Sequence, residues 1–210
     1  MSQALRAKSS DTSAVLDPPQ VSYQEFLVRP GEDDHVEWVN GKVVPMSPVT
    51  EPHDDIRGLL YSLLRHFAEG HRLGRVYSEP FQMKTGPDLP GRAPDVLFIA
   101  KKHQGRVKRL CVEGPADLVV EVISPGSRAI DRGEKFYEYE QGGVPEYWLI
   151  DPERKQVEFY QRGQDGIYRL VPAGAGGVYR SRAMAGLWLN VEWLWQRPPL
   201  LSVLGEWKLI

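Results

Sequence analysis

Two apolar runs that each carry one carboxylate constrain this chain more than any other feature. Residues 93–100 place Asp95 beside Val, Leu, Phe and Ile, and residues 117–125 place Glu121 among valines and isoleucine. Their β-branched residues and bounding breakers predict two β-strands. Near-continuous apolar strands are buried on both faces of a sheet, where an ionised carboxylate is costly unless it meets a cation. The two acids therefore predict a cation close to the strands.

A third segment, residues 130–139, offers a positive charge. It is predicted to be a helix that begins near Asp131, with Lys135 one turn in and Tyr139 one turn later on the same face. The lysine could stabilise charge on a phosphate group. The alternative role for Lys135 is a surface ion pair with Asp131, which would contribute only tenths of a kcal/mol to stability. Tyr139 is predicted to pack, with a phosphate contact as the alternative.

The remaining local signals predict an α/β (α+β) fold with a mixed central sheet flanked by helices. Ser22 and Glu25 have the spacing of a capping box, and Asn40-Gly41 favours a type I′ turn between two strands. Residues 53–69 repeat apolar side chains at helical spacing. Further strands are predicted at residues 76–83, 146–150 and 157–160, with short segments near 167–170 and 187–189.

Composition predicts one domain in a reducing compartment. The chain has 210 residues, 41% of them hydrophobic, which suits a single core. Cys111 is the only cysteine, so an internal disulfide is excluded. No apolar run resembles a signal peptide or reaches bilayer length, and we expect a cytoplasmic protein that does not bind membranes. The expected organisation is a disordered tail at 1–20, a domain at 21–195 and a C-terminal extension at 196–210.

The carboxylate strands and the lysine helix resemble a known family. Pro94-Asp95, residues 120–125, Lys135 and residues 143–152 closely resemble the Uma-two family of restriction endonuclease-like proteins, within the PD-(D/E)xK nuclease superfamily. The similarity runs from about residue 23 to residue 194. It implies a restriction-endonuclease-like αβββαβ core in a nuclease-like domain.

One position departs from the superfamily pattern. The usual lysine lies two residues after the second carboxylate, where this chain has Ile123. Lys135 would then be a migrated replacement, and its catalytic role depends on the resemblance as well as on its spacing.

The resemblance also implies a metal site for phosphodiester hydrolysis. Asp95, Glu121 and Glu37 would hold Mg²⁺ or Mn²⁺, since hard cations prefer carboxylates and lower the pKa of an attacking water. The alternatives are a strand-capping role for Asp95 and an exposed hairpin position for Glu37. His53 is either a neighbour of the site or a helix cap.

Basic residues outside this cluster are candidate DNA contacts. The run at 101–109 has five positive charges and no acid, and it is predicted to be a mobile loop. Such charges would grip the phosphate backbone, although solvated loop charge is equally compatible with the sequence. The candidate DNA-binding residues are Lys101, Lys102, Arg106, Lys108, Arg109, Arg128 and Arg132.

Three functions fit these features. The first is a Mg²⁺- or Mn²⁺-dependent DNA endonuclease, with DNA as its partner and a homodimer left open. The second is a catalytically inactive nuclease fold that binds DNA or assists assembly, which the missing lysine at position 123 makes plausible. The third is a metal-dependent hydrolase of a smaller phosphate ester, which the mild net charge of −2 favours.

Overall fold

The computed structural model describes residues 20–29, 35–46 and 48–210. Almost all of the predicted tail at 1–20 lies outside them. The helices are α1 (Tyr23–Val28), α2 (Glu51–Gly70), α3 (Lys135–Gly142), α4 (Glu192–Gln196) and α5 (Leu200–Glu206). The strands are β1 (Val36–Val39), β2 (Lys42–Pro45), β3 (Gly74–Ser78), β4 (Gln82–Lys84), β5 (Gly91–Arg92), β6 (Val96–Ala100), β7 (Cys111–Glu113), β8 (Leu118–Val122), β9 (Glu146–Asp151), β10 (Gln156–Arg162), β11 (Tyr168–Leu170), β12 (Val178–Arg180) and β13 (Trp188–Asn190).

The central sheet is mixed, as predicted. Its six strands run in the order β11-β10-β9-β8-β6-β3. Strand β8 pairs antiparallel with β6 and parallel with β9, so it lies in the middle of the sheet. All residues of β8 and all but the last residue of β6 are buried, which confirms the two buried strands expected from their apolar runs.

A second sheet of five strands, ordered β2-β1-β5-β4-β7, holds the N-terminal hairpin. Asn40 and Gly41 both have positive φ, 49° and 83°, which confirms the type I′ turn. The single strand expected at residues 76–83 is wrong. Strand β3 ends at Ser78 in the central sheet, and β4 begins at Gln82 in the second sheet, because β3 pairs with β6 and β4 pairs with β5.

Helix α2 covers one face of the central sheet. Its apolar stripe, including Leu60 and Leu64, packs against side chains of β6, β8 and β9 in the larger core cluster. The expected C-terminal extension also lies in this core, since Val203 of α5 and Trp207, directly after α5, are buried there. Residues 196–210 are therefore part of the packed structure.

Helix α3 covers the opposite face. A π-turn over Ile130–Glu134 leads directly into α3, and Tyr139 packs with Val119, Ile123 and Tyr147 in a second core cluster. Side chains alternate along a strand, so Glu121 projects toward this same face. Helix α3 is thereby placed over the carboxylate of Glu121.

One expectation for the outer segments needs correction, and one strand there was not predicted. The basic run predicted as a mobile loop forms a 3₁₀ helix over Lys101–Arg106. Strand β12 has no counterpart among the predicted strands, and it pairs with β13 in a separate two-stranded sheet. That sheet is tied to the core by Glu146, whose carboxylate accepts hydrogen bonds from Tyr179 and from the backbone of Arg182.

Candidate active site

The register of the central sheet brings Asp95 and Glu121 together. Val96 pairs with Val120 across the antiparallel strands β6 and β8, and one further step places Asp95 opposite Glu121. Asp95 Oδ2 accepts a hydrogen bond of 2.6 Å from the backbone N–H of Val122. Opposite side chains in an antiparallel pair project from the same face with Cβ atoms about 5 Å apart. The two carboxylates therefore share one end of the sheet and one face.

Lys135 lies at the centre of this end of the sheet. Its Nζ is 3.1 Å from Glu121 Oε1 and 3.3 Å from Glu37 Oε1. A third carboxylate oxygen, Asp131 Oδ1, is also 3.3 Å away. Burial alone would lower the pKa of Lys135, but these carboxylates together raise it well above its usual value. The lysine is a buried ammonium rather than half of a surface ion pair.

Glu37 is held mainly by cations and by the backbone. Its Oε2 accepts a 2.8 Å hydrogen bond from Arg92, and its Oε1 accepts one of 3.2 Å from the N–H of Ala93. Burial raises the pKa of Glu37, yet Lys135 and Arg92 outweigh burial and lower it. Arg92 is itself buried and also binds Glu138 at 2.7 Å. Glu37 is thus an ionised group fixed at the junction of the two sheets.

Glu121 has the opposite electrostatic character. Burial raises its pKa well above the ordinary value, and the neighbouring acids add to that rise while Lys135 opposes it. Its Oε1 accepts hydrogen bonds from Lys135 and from the hydroxyl of Tyr139 at 2.7 Å. Burial also raises the pKa of Tyr139, so the phenol stays protonated and donates. Tyr139 combines the expected packing role with a direct contact to the acid.

His53 reaches the site from the first turn of α2. Its Nε2 lies 3.4 Å from Asp95 Oδ1, while its buried Nδ1 has no hydrogen-bond partner in the described part of the chain. Burial lowers the pKa of His53, but the hydrogen bond and charge of Asp95 outweigh it and raise the pKa. The residue is a neighbour of the site, and the cap of α2 is Thr50.

These groups line a small pocket of about 70 Å³. That volume is large enough to hold several water molecules. Five carboxylates line it against two permanent cations. The carboxylates are Glu37, Glu79, Asp95, Glu121 and Asp131, and the cations are Arg92 and Lys135.

Asp131 and Glu79 are site residues that sequence reasoning missed. Asp131 was noted only as an ion-pair partner for Lys135, although it is 1% exposed and lines the pocket. Its spacing of four residues from the lysine was the available signal, and burial of the π-turn could not be seen in the sequence. Glu79 lies in a turn between two sheets and gave no signal at all.

The donor set fits a hard divalent cation bound by two carboxylates. Within residues 20–29, 35–46 and 48–210, no three His, Cys, Asp or Glu side chains form a metal-binding group. The expected trio of Glu37, Asp95 and Glu121 is thus not assembled as a cage. Mg²⁺ commonly uses one or two carboxylates and fills its other positions with water and phosphate oxygens. Asp95 and Glu121, in a pocket with excess negative charge, match that pattern.

The candidate DNA contacts divide into two groups. Residues 101–109 follow β6, whereas Asp95 precedes it, so at about 3.3 Å per residue they begin about 20 Å from the carboxylates. Arg128 and Arg132 lie at the site's end of the sheet. Arg128 pairs with Asp151 and Arg132 pairs with Glu158. No single surface holds all seven residues.

No helix in the described part of the chain is long and apolar enough to cross a membrane.

A solved structure, a protein sequence and a family model are similar to this chain. A solved structure described as a "putative nuclease belonging to DUF820" from Anabaena variabilis ATCC 29413 superimposes with a TM-score of 0.67 at 19% identity, covering 84% of this chain and 98% of that one. An uncharacterized protein from Synechocystis sp. (strain ATCC 27184 / PCC 6803 / Kazusa) is 26% identical over 149 residues, which are 70% of this chain and 83% of that protein. The model of the Uma2 (Uma-two) family, described as "Putative restriction endonuclease", matches residues 23–192. The chain therefore belongs to the Uma2 family.

Proposed function

We propose that the protein is a Mg²⁺- or Mn²⁺-dependent endonuclease that hydrolyses phosphodiester bonds in DNA. One observation carries the proposal: Asp95 and Glu121 lie opposite each other on adjacent strands, and the buried Lys135 ammonium is 3.1 Å from Glu121. Two carboxylates and one lysine at the end of a mixed sheet are the groups that phosphodiester hydrolysis needs. Membership of the Uma2 family supports the same activity.

Asp95 and Glu121 would hold the divalent cation. When bound, the cation lowers the pKa of a water molecule and offsets charge on the phosphate. The backbone N–H of Val122 fixes the orientation of Asp95, and the hydroxyl of Tyr139 fixes Glu121. The scissile phosphate would reach these groups from the mouth of the pocket.

Lys135 would act on the phosphate. Its raised pKa keeps the ammonium protonated at neutral pH, and an ammonium stabilises charge that develops on non-bridging oxygens. The side chain reaches the carboxylates from α3, above the face of the sheet. Ile123, at the usual position of the lysine, is 2% exposed and packs in the apolar core.

A basic surface at the far end of the sheet would contact DNA away from the cleaved bond. Arg72, Arg75 and Lys101 line one depression there, together with Glu69, whose carboxylate pairs with Arg65. In the described part of the chain the three basic residues that line it have no carboxylate partner. About 20 Å corresponds to about six base pairs of B-DNA, so this surface suits flanking phosphates and favours long substrates over small phosphate esters.

Plasmid nicking tests the proposal. Purified protein should convert supercoiled plasmid to open circles with Mn²⁺ or Mg²⁺, and a chelator should stop the reaction. Asp95→Asn and Lys135→Ala should each abolish nicking, whereas Asp165→Asn, a matched change at an exposed ion pair, should not. DNA binding by the wild type without cleavage of any DNA form would favour the inactive binding module.

A further inference from the structure

The ammonium of Lys135 is surrounded by more carboxylates than a single ion pair requires. Glu121, Glu37 and Asp131 all approach its Nζ within 3.3 Å. Asp131 Oδ1 is buried and lies 3.3 Å from this ammonium, while the Asp131 carboxylate also interacts with the side chain of Ser127. The contact with Lys135 bridges four residues across the π-turn at the start of the helix.

The three acids differ in their position relative to Asp95. Glu121 lies opposite Asp95 across the β6–β8 pair and is the acid that a shared cation would engage. Glu37 comes from the second sheet, where Arg92 and the N–H of Ala93 hold it. Asp131 comes from the helix side. An engaged Glu121 leaves Glu37 and Asp131 as the two anionic contacts of the lysine.

We propose that Glu37 and Asp131 are positioning residues that together hold Lys135 over the phosphate while Glu121 binds the cation. The inference rests on the proposed function, and it assigns Glu37 to the lysine rather than to the metal. The ammonium of a lysine is carried on a flexible chain of four carbons, so one contact cannot define where the ammonium lies. Two carboxylates on separate elements restrain the ammonium from two sides.

Metal affinity separates this role from that of a ligand. Calorimetric titration of chelator-treated protein with Mn²⁺ should show that Glu37→Gln and Asp131→Asn still bind the ion, with a smaller loss of affinity than Asp95→Asn, which should lose binding. A loss of Mn²⁺ binding as complete as that of Asp95→Asn in either variant would show that the acid is a ligand and would overturn the proposal.

Kinetics test the effect on the lysine. Both variants should lower kcat for plasmid nicking by at least about tenfold with little change in KM, because a displaced lysine weakens the transition state and leaves DNA binding intact. Asp131→Glu should recover part of the loss. Asp117→Asn is the matched control, since this buried acid lies at the opposite end of β8 and bonds to Ala100 and His103. If kcat falls equally in Asp117→Asn, the loss of activity comes from general destabilisation of the fold, and the proposal is contradicted.

Unfolding tests the same contacts without any activity. In chelator, Lys135→Met should lower the urea midpoint because it leaves Glu121 and Asp131 without their cation, and adding Asp131→Asn should raise the midpoint again because repulsion is relieved. If Asp131→Asn lowers the midpoint by the same amount with and without Lys135, the two residues are not coupled and the inference fails. If the wild type cuts no DNA while the coupling is present, the nuclease proposal fails and the contact with Lys135 stands.

Discussion

Replacing Glu121 by glutamine separates the cost of a buried carboxylate from its use as a metal ligand. Glutamine keeps the shape of the side chain and one oxygen to accept from Tyr139, but it removes the charge. Burial raises the pKa of Glu121 in the folded protein, so the ionised carboxylate destabilises the fold at pH values above its unfolded pKa. In chelator near pH 7, Glu121→Gln should therefore be at least as stable as wild type. The difference should shrink as the pH falls toward the unfolded pKa, where the carboxyl is protonated in both states.

The response to metal should reverse this order. A ligand that binds only the folded state at one hundred times its Kd stabilises it by about 2.7 kcal/mol. For a domain of this size each kcal/mol shifts the midpoint by about 2–4 °C, so saturating Mn²⁺ should raise the Tm of wild type by about 5–11 °C. Glu121→Gln loses one of two carboxylate ligands, and its Tm should hardly respond.

Thermal melts followed by tryptophan fluorescence, with and without Mn²⁺, measure both effects. Glu192→Gln is the control, because this exposed glutamate begins α4 and lies outside the pocket. A Mn²⁺ shift in Glu121→Gln equal to that of wild type would refute the two-carboxylate site. A large loss of stability of Glu121→Gln in chelator would refute the claim that the carboxylate is costly.

Three other changes test the fold and the basic surface. Glu146→Ala should lower the free energy of unfolding by at least about 3 kcal/mol, measured by urea titration, because Trp148, Tyr179 and two backbone N–H groups lose a buried acceptor. Removal of residues 198–210 should lower the free energy of unfolding by several kcal/mol in the same assay, since each fully buried large side chain of this segment contributes about 1.5–3 kcal/mol. An unchanged free energy of unfolding would contradict the packing of this segment. The double change Arg75→Glu with Lys101→Glu should weaken DNA binding, measured by fluorescence anisotropy. The slope of the logarithm of the binding constant against the logarithm of the salt concentration should become shallower by about 0.9 per lost phosphate contact, whereas Arg169→Glu should change neither quantity.

Local chemistry made parts of the fold predictable. The hairpin at Asn40-Gly41 depends on two adjacent residues that tolerate positive φ, so its signal is contained in the sequence. The capping box of α1 likewise depends on Ser22 and Glu25 alone, and both of its hydrogen bonds are present. The strands around Asp95 and Glu121 were recognisable because burial on both faces demands continuous apolar residues.

Long-range pairing was not predictable in the same way. The sequence of residues 76–83 does not record that Ser78 and Gln82 belong to different sheets. The strand β12 is short, and its tie to the core depends on Glu146, which is distant in sequence. Asp131 was missed for a similar reason, because its burial depends on how the π-turn packs against the sheet. Such features arise from contacts between distant segments, which local periodicity cannot encode.

The lysine shows what the site requires of the sequence. A lysine at position 123 would project from the same strand face as Glu121, but Ile123 is buried there against Tyr139 and Tyr147. Apolar packing at that position holds α3 close to the sheet, and the close approach lets a helix lysine reach Glu121 at 3.1 Å. Asp131 lies one turn before Lys135, and its carboxylate, 3.3 Å from the ammonium, restrains the position of the lysine. The site therefore depends on where the ammonium lies, and a helix above the sheet can place it there as well as a strand within it.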